Sequence, residues 1–255
     1  MYKILLTRLR QGKRTIKYPD GPAPAMPDRF RGGPLIDREK CLQDCRLCLD
    51  SCPTGALTRT ADFSVDLGRC LFCTDCVRAC PAQAVTCSDD WRLAVRERAD
   101  LVVNPEERVI RLAAALEGKM RRLFGRSLKL RQVSAGGCNA CEADVNVLGT
   151  LAWDLGRFGI QFVASPRHAD GLLVTGPVTA NMERALAKTW DAVPAPRLVI
   201  ALGACAISGG LFAASPETHG GAPAVLPVDL FIPGCPPHPL TILDGLLRLL
   251  GVETP

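Results

Sequence analysis

Aromatic side chains are scarce in this chain: eight Phe, three Trp and two Tyr make up 5% of 255 residues. That scarcity leaves no basic–aromatic platform on which nucleic-acid bases could stack. Long apolar runs are missing as well. The most apolar window, 198–214, is broken by three glycines and Cys205, and it falls short of the roughly 18 residues a membrane-spanning helix requires. Near the N-terminus only Ile4–Leu6 runs uninterrupted, too short for the apolar region of a secretory signal. The expectation is a soluble or peripheral protein. Neither a P-loop nor a Rossmann glycine fingerprint is present, so those two nucleotide-binding loops are excluded.

Cysteine, in contrast, is abundant. Thirteen cysteines without a secretory signal indicate a reducing compartment in which thiols serve as metal ligands. Eight of them fall between residues 41 and 80, in the runs CLQDCRLCLDSCP and CLFCTDCVRACP. Two C-x2-C-x2-C-x3-C-P runs are the bacterial ferredoxin spacing for two [4Fe–4S] clusters, in which the fourth cysteine of each run serves the other cluster. Three closely spaced thiolates hold three corners of a cubane, and the fourth must arrive from elsewhere. That pattern implies one cluster on Cys41, Cys45, Cys48 and Cys80, and a second on Cys70, Cys73, Cys76 and Cys52. The first run departs from it: Leu42, Gln43 and Asp44 put one extra residue between Cys41 and Cys45. Two four-cysteine zinc sites are the alternative, but zinc prefers paired C-x2-C ligands, and the duplicated Cys-Pro endings speak against it. A disulfide framework is disfavoured by the tight spacing and the missing signal.

A chain of 255 residues with 47% hydrophobic content has room for one large or two modest domains with a core. The net charge of +5 is uneven: +6 over 1–40, −3 over 41–90, +6 over 91–131 and −4 over 132–255. Basic charge on the N-terminal arm and mid-chain suits docking on a partner or near an anionic membrane face; a solvated connector is the plainer alternative.

The order of the chain suggests four parts: an arm (1–34), a ferredoxin-like unit (35–87), a basic helical connector (88–130) and a C-terminal domain (131–255). Residues 1–16 suit a short amphipathic helix, and the prolines of Tyr18–Pro34 an extended arm without its own core. Ala56–Val65 suits a hairpin. From Glu106 to Phe124, Val109, Leu112, Ala113, Leu116, Met120 and Leu123 recur at helical spacing, after Pro105, Glu106 and Glu107 and before Gly125. Beyond Leu128, strands at Leu128–Val133, Ile160–Ala164, Gly171–Val174, Leu198–Leu202 and Asp229–Pro233 alternate with helices at Leu148–Phe158, Asn181–Trp190 and Pro239–Leu250. Such alternation predicts a doubly wound, mainly parallel sheet, with sites beyond its carboxyl edge. Cys138, Cys141, Cys205 and Cys235 all fall at that edge, a third four-cysteine site. Gly136, Gly137, Gly203, Gly209, Gly210 and Gly234 allow close backbone approach there. Four unrelated buried thiols are the alternative, and Cys87, left over, is expected to pack as one.

Residues 1–87, including YPDGPAPAMPDRFRGGP, resemble the two-cluster ferredoxin subunit of complex I and of formate hydrogenlyase-type complexes. Residues 119–251 resemble the small subunit of membrane-bound, energy-converting [NiFe] hydrogenases, homologous to the 20-kDa subunit of complex I. The motifs carrying this are AGGCNACEAD, RFGIQFVASPRHADGLLVTGPVT, GACAISGG and VDLFIPGCPPHP. The resemblance implies an α+β ferredoxin-like domain fused to an α/β, flavodoxin-like one, with three [4Fe–4S] clusters on the twelve cysteines. It also implies an electron-relay role without a catalytic centre: the family's nickel–iron site lies on a large-subunit partner, and no cysteines remain here to hold it. Membrane subunits would be further partners, on the cytoplasmic side of the inner membrane. Asn139 and Ala140 separate Cys138 from Cys141 as in the hydrogenases, whereas complex I has adjacent cysteines. Glu142 and Asp144 are placed either for proton movement or as ordinary acids at a helix start; Asp144 stands where relatives usually carry Glu. Arg167 and His168 match the family and suit a partner-facing or a redox-tuning role. His219 is expected to be solvated. A complex I-like quinone-linked or nickel-free assembly, and a free ferredoxin-like carrier anchored to a scaffold, remain the alternatives.

Overall fold

The computed structural model describes residues 2–42, 44–60, 62–106, 110–124 and 127–254, with only the backbone of Lys119 and Arg121. The N-terminal third is built from short pieces. Helix α1 (Tyr2–Gln11) leads, through the proline-rich arm, to strand β1 (Pro34–Ile36), helix α2 (Leu47–Asp50) and a hairpin of β2 (Leu57–Arg59) and β3 (Phe63–Asp66). Helix α3 (Asp75–Arg78) and β4 (Val85–Cys87) follow, and β4 pairs antiparallel with β1. A further strand, β5 (Val102–Val103), lies beyond residue 87 yet pairs with β3, so this unit takes its last strand from the connector.

The connector is not the helix that periodicity predicts over Glu106–Phe124; among its described residues only α4 (Gly118–Phe124) is helical. The reason is tertiary. The Ala113 N–H donates to Ala94 O at 2.7 Å and the Leu116 N–H to Leu249 O at 2.9 Å, so these amides bond across the molecule and not up a helix. The expected markers Glu107, Val109 and Gly125 lie outside the described residues. Val95 exchanges two backbone bonds with Phe231, at 3.0 and 2.9 Å, and so covers the edge of the main sheet.

That sheet consists of β6 (Leu128–Ser134), β7 (Ile160–Phe162), β8 (Gly171–Thr175), β9 (Leu198–Leu202) and β10 (Leu230–Ile232), all parallel, in spatial order β10-β9-β8-β6-β7. Numbered within the domain this is 2-1-3-4-5, the doubly wound flavodoxin-like order. Helices α5 (Ala140–Val147), α6 (Ala180–Asp191), α7 (Ala204–Ser208) and α8 (Pro239–Leu250) complete it. The helix expected over Leu148–Phe158 is absent. The chain turns there instead, with the Thr150 hydroxyl and N–H both donating to Val147 O, and only Leu155–Phe158 winds into a 3-10 turn.

Every residue of β8 and β9 is buried, as a central parallel strand covered on both faces demands. Alternation divides them. Leu173, Ile200 and Leu202 face the cluster containing Leu240, Leu243 and Leu247 of α8. Leu172, Val174, Val199 and Ala201 join a second cluster with Leu57, Phe63 and Val65 of the N-terminal unit. The two halves therefore share one core. The arm, expected to have no core of its own, joins that of the C-terminal domain: Tyr18 is fully buried and its hydroxyl donates to Asp244 at 2.7 Å. Arg248 donates to the same carboxylate at 2.8 Å, and Arg157 holds the carbonyls of Ile16 and Tyr18 at 2.7 and 2.6 Å.

Candidate metal centres

The structure gathers the cysteines into three groups. Cys41, Cys45, Cys48 and Cys80 ring one hollow, floored by Ile36, Phe63 and Val85. Burial raises the Cys48 thiol pKa, and its neighbours Cys41, Cys80 and Cys45 raise it further. A second hollow is ringed by Cys52, Cys70, Cys73 and Cys76. Here burial, then the nearby thiols of Cys76, Cys52 and Cys73, push Cys70 up to about 12. Cys87, expected to pack as a buried thiol, is half-buried at the end of β4 and lines this second hollow as a fifth thiol.

The third group comes from loops and helix first turns at the carboxyl edge of the sheet, with Cys141 in α5 and Cys205 in α7. Cys138 and Cys141 follow β6, one of the two strands at the topological switch point, while Cys205 follows β9 and Cys235 follows β10. Two bonds tie the last two loops together: Gly203 N–H to Ile232 O and Ala204 N–H to Gly234 O, both 2.9 Å. Burial, then Glu142 and the thiols of Cys235, Cys205 and Cys138, drive the Cys141 thiol pKa up. Cys205 is pushed to about 11 by burial, then by Cys235 and Cys138. Gly203 is required for a plain steric reason: a Cβ there, on a backbone at φ +87°, would meet the Cys141 sulfur at 2.6 Å.

The donor chemistry fits iron–sulfur groups. Soft thiolates select them, and backbone amides point at the sulfurs: Ala56 N–H to Cys52 and Ala84 N–H to Cys80 at 3.2 Å, and Phe72 N–H to Cys70 at 3.4 Å. Among the described residues no three of His, Cys, Asp and Glu close on a point as one metal ion requires. The thiols of the first two groups surround hollows instead, which suits a polynuclear group better than zinc. Phe72, Thr74 and Asn139, in the cysteine loops, all adopt left-handed backbone, at φ 54°, 67° and 70°. For Phe and Thr this is strained, and such strain collects at functional sites.

Other singled-out residues separate clearly. Glu142 is buried. Burial works against its charge, but hydroxyls at Ser134 and Thr175, the latter donating at 2.5 Å, hold the carboxyl below the ordinary range. Burial raises Asp144, which lines a cleft with Cys235, His238, Arg29 and Arg31. Arg167 and His168 are exposed. His219, expected in solvent, is half-buried 3.2 Å from Glu183. His238 caps α8, its Nδ1 accepting from Leu240 N–H at 3.1 Å. Phe72 was not foreseen: it lines both the second hollow and the Cys235 cleft, and no pattern in the sequence marks it.

Residues 138–249 match the family described as NADH ubiquinone oxidoreductase, 20 Kd subunit. A probable membrane-bound hydrogenase subunit of Pyrococcus furiosus is 43% identical over 129 residues, 51% of this chain and 77% of that protein. An NADH-quinone oxidoreductase subunit of Desulfovibrio desulfuricans is 41% identical over 139 residues, 54% of this chain and 75% of that protein. Formate hydrogenlyase subunit 7 of Escherichia coli is 40% identical over 139 residues; the match covers 54% of each, about half of that protein's length.

Proposed function

Since the chain belongs to the NADH ubiquinone oxidoreductase 20 Kd subunit family, we propose that it is the electron-relay iron–sulfur subunit of a membrane-associated [NiFe] hydrogenase complex, of the formate hydrogenlyase or energy-converting type. It holds no catalytic centre; its large-subunit partner carries the nickel–iron site, and membrane subunits anchor the assembly on the cytoplasmic face. Three [4Fe–4S] clusters would be held, on Cys41, Cys45, Cys48 and Cys80, on Cys70, Cys73, Cys76 and Cys52, and on Cys138, Cys141, Cys205 and Cys235. The N-terminal unit is read as ferredoxin-like on the same grounds. Bound clusters supply one-electron redox chemistry.

The protein's own share is placement. The observation that carries the reading is that the second and third thiol groups adjoin: Phe72 walls both the second hollow and the Cys235 cleft. The amides of Ala56, Phe72 and Ala84 stabilise thiolates, and the shared core fixes one half against the other. The two-residue gap between Cys138 and Cys141 favours the hydrogenase branch.

The test uses the whole complex. Cys205→Ala is expected to abolish hydrogen-dependent reduction of an acceptor while the partner keeps its nickel, whose ligands lie on another chain. Hydrogen turnover by this chain alone overturns the relay role. A nickel-free complex with quinone-linked turnover moves it to the complex I-like branch.

A further inference from the structure

Helix α1 stands apart from everything above. None of its residues is buried and none belongs to either core cluster. Tyr2, Leu5 and Leu9 are 74, 60 and 78% exposed, large values for apolar side chains on a folded protein. The body first takes hold of the chain after the helix, where the Thr15 hydroxyl donates to Leu151 O and Ile16 N–H to Ala152 O. Gly12, at φ +61°, ends the helix between the two.

Four of the helix's five apolar residues share one face, while Ile4, 71% exposed, lies on the opposite one. Tyr2, Leu5, Leu6 and Leu9 follow the i, i+3, i+4, i+7 spacing that puts them on one stripe. At about 100° per residue, Arg8 flanks the stripe on one side and Lys3 and Arg10 on the other. Lys13, Arg14 and Lys17 follow at once, and residues 1–17 contain six basic and no acidic side chains. Among the described residues none of Lys3, Arg8, Arg10, Lys13 and Arg14 forms an ion pair. Leu151, itself 62% exposed, sits where the arm meets the body.

We propose that α1 is a membrane-surface anchor, lying in the plane of an anionic phospholipid bilayer with Tyr2, Leu5, Leu6 and Leu9 in the headgroup–acyl boundary and the flanking cations on lipid phosphates. An apolar stripe with cations on both flanks matches a surface that is apolar below and uniformly negative around. Ten residues of helix reach only about 15 Å, enough to lie on a bilayer and far short of crossing one. The anchor gives the peripheral association in the proposed function a definite contact, but it rests on α1 alone and stands whichever partner the complex carries.

The experiment is co-sedimentation of the full, cluster-loaded chain with vesicles. Binding is expected to phosphatidylcholine vesicles containing phosphatidylglycerol, falling with added salt, and to be weak on pure phosphatidylcholine. Leu5→Ser/Leu9→Ser and Arg8→Gln/Arg10→Gln should each weaken it by roughly tenfold or more. Unchanged iron content and visible absorption in both variants will show that the body is intact. Equal binding to neutral vesicles, or anionic binding that survives both variants, overturns the proposal. So does an absence of vesicle binding combined with loss of these variants from the assembled complex, since that assigns α1 to a protein groove. Failure of the hydrogenase reading leaves all of these outcomes unaffected.

Discussion

The two halves of this protein arrange cysteines by opposite means. In the N-terminal unit eight cysteines lie within 40 residues, six on loops and Cys48 and Cys76 in the short helices α2 and α3. In the C-terminal unit four cysteines are spread from residue 138 to 235, and a buried five-stranded sheet brings them together. The first half places its ligands by local spacing and has little regular structure to hold them when the hollows are not filled. The second places them by long-range packing that exists in its own right. A metal bound as proposed would thus be part of the fold in one half and a guest in the other.

Removal of iron is the harshest way to break that comparison. Chelation under anaerobic conditions should unfold the region between residues 37 and 87 while β6, β8, β9 and α8 keep their protection, as hydrogen exchange read by mass spectrometry will show. Simultaneous collapse of both halves would mean that the shared core, with Leu57 and Phe63 beside Val174 and Val199, governs more than the metal does. Next in size is the core itself. Leu173→Ala, at a fully buried position of β8, should cost about 2–5 kcal/mol in chemical denaturation of the C-terminal half. A loss under ~1 kcal/mol would show that the sheet is less self-sufficient than its burial implies.

Gly203→Ala sharpens the comparison at the sheet's edge. The added methyl meets the Cys141 sulfur at 2.6 Å, so the third group should lose its iron, about four atoms per chain, while the two N-terminal groups stay loaded. Intact electron paramagnetic resonance signals from all three groups would dismiss the steric account. The smallest effect concerns pH. Burial lowers the pKa of His238, and its neutral Nδ1 caps α8. The folded state therefore prefers the uncharged ring, and that stability is present above the ordinary value of about 6.5 and is lost as pH falls through the lowered folded value. His238→Asn keeps an acceptor at the cap without a titrating group. Its thermal midpoint should fall less on acidification than that of the unaltered protein.

The parts legible in the sequence were those encoded at short range. The paired cysteine runs, the Ala56–Val65 hairpin, β9 at Leu198–Leu202 and α8 at Pro239–Leu250 depend on spacing and periodicity within a dozen residues, and the structure has strands and helices at those places. The carboxyl-edge rule pointed to Cys138, Cys141, Cys205 and Cys235, because a parallel sheet leaves few other sites for loops to meet. Where an amide's partner lay far along the chain, periodicity misled. Ala113 and Leu116 repeat as a helix would, yet bond to Ala94 and Leu249. Residues 148–158 look helical, yet α5 lies ahead of them.

What the sequence determined by itself was the inventory: twelve thiols in the pattern of three sites, neither a P-loop nor a Rossmann fingerprint, and a basic, apolar-striped N-terminus. What tertiary structure alone decided was adjacency. Tyr18 could be placed beside Asp244, 226 residues away, only by the folding of the arm onto α8. Phe72 stands between the second and third thiol groups only because the N-terminal unit packs on the face of the C-terminal sheet. Spacing along a chain sets which residues share a loop, whereas contact between distant loops is set by how whole faces bury against one another.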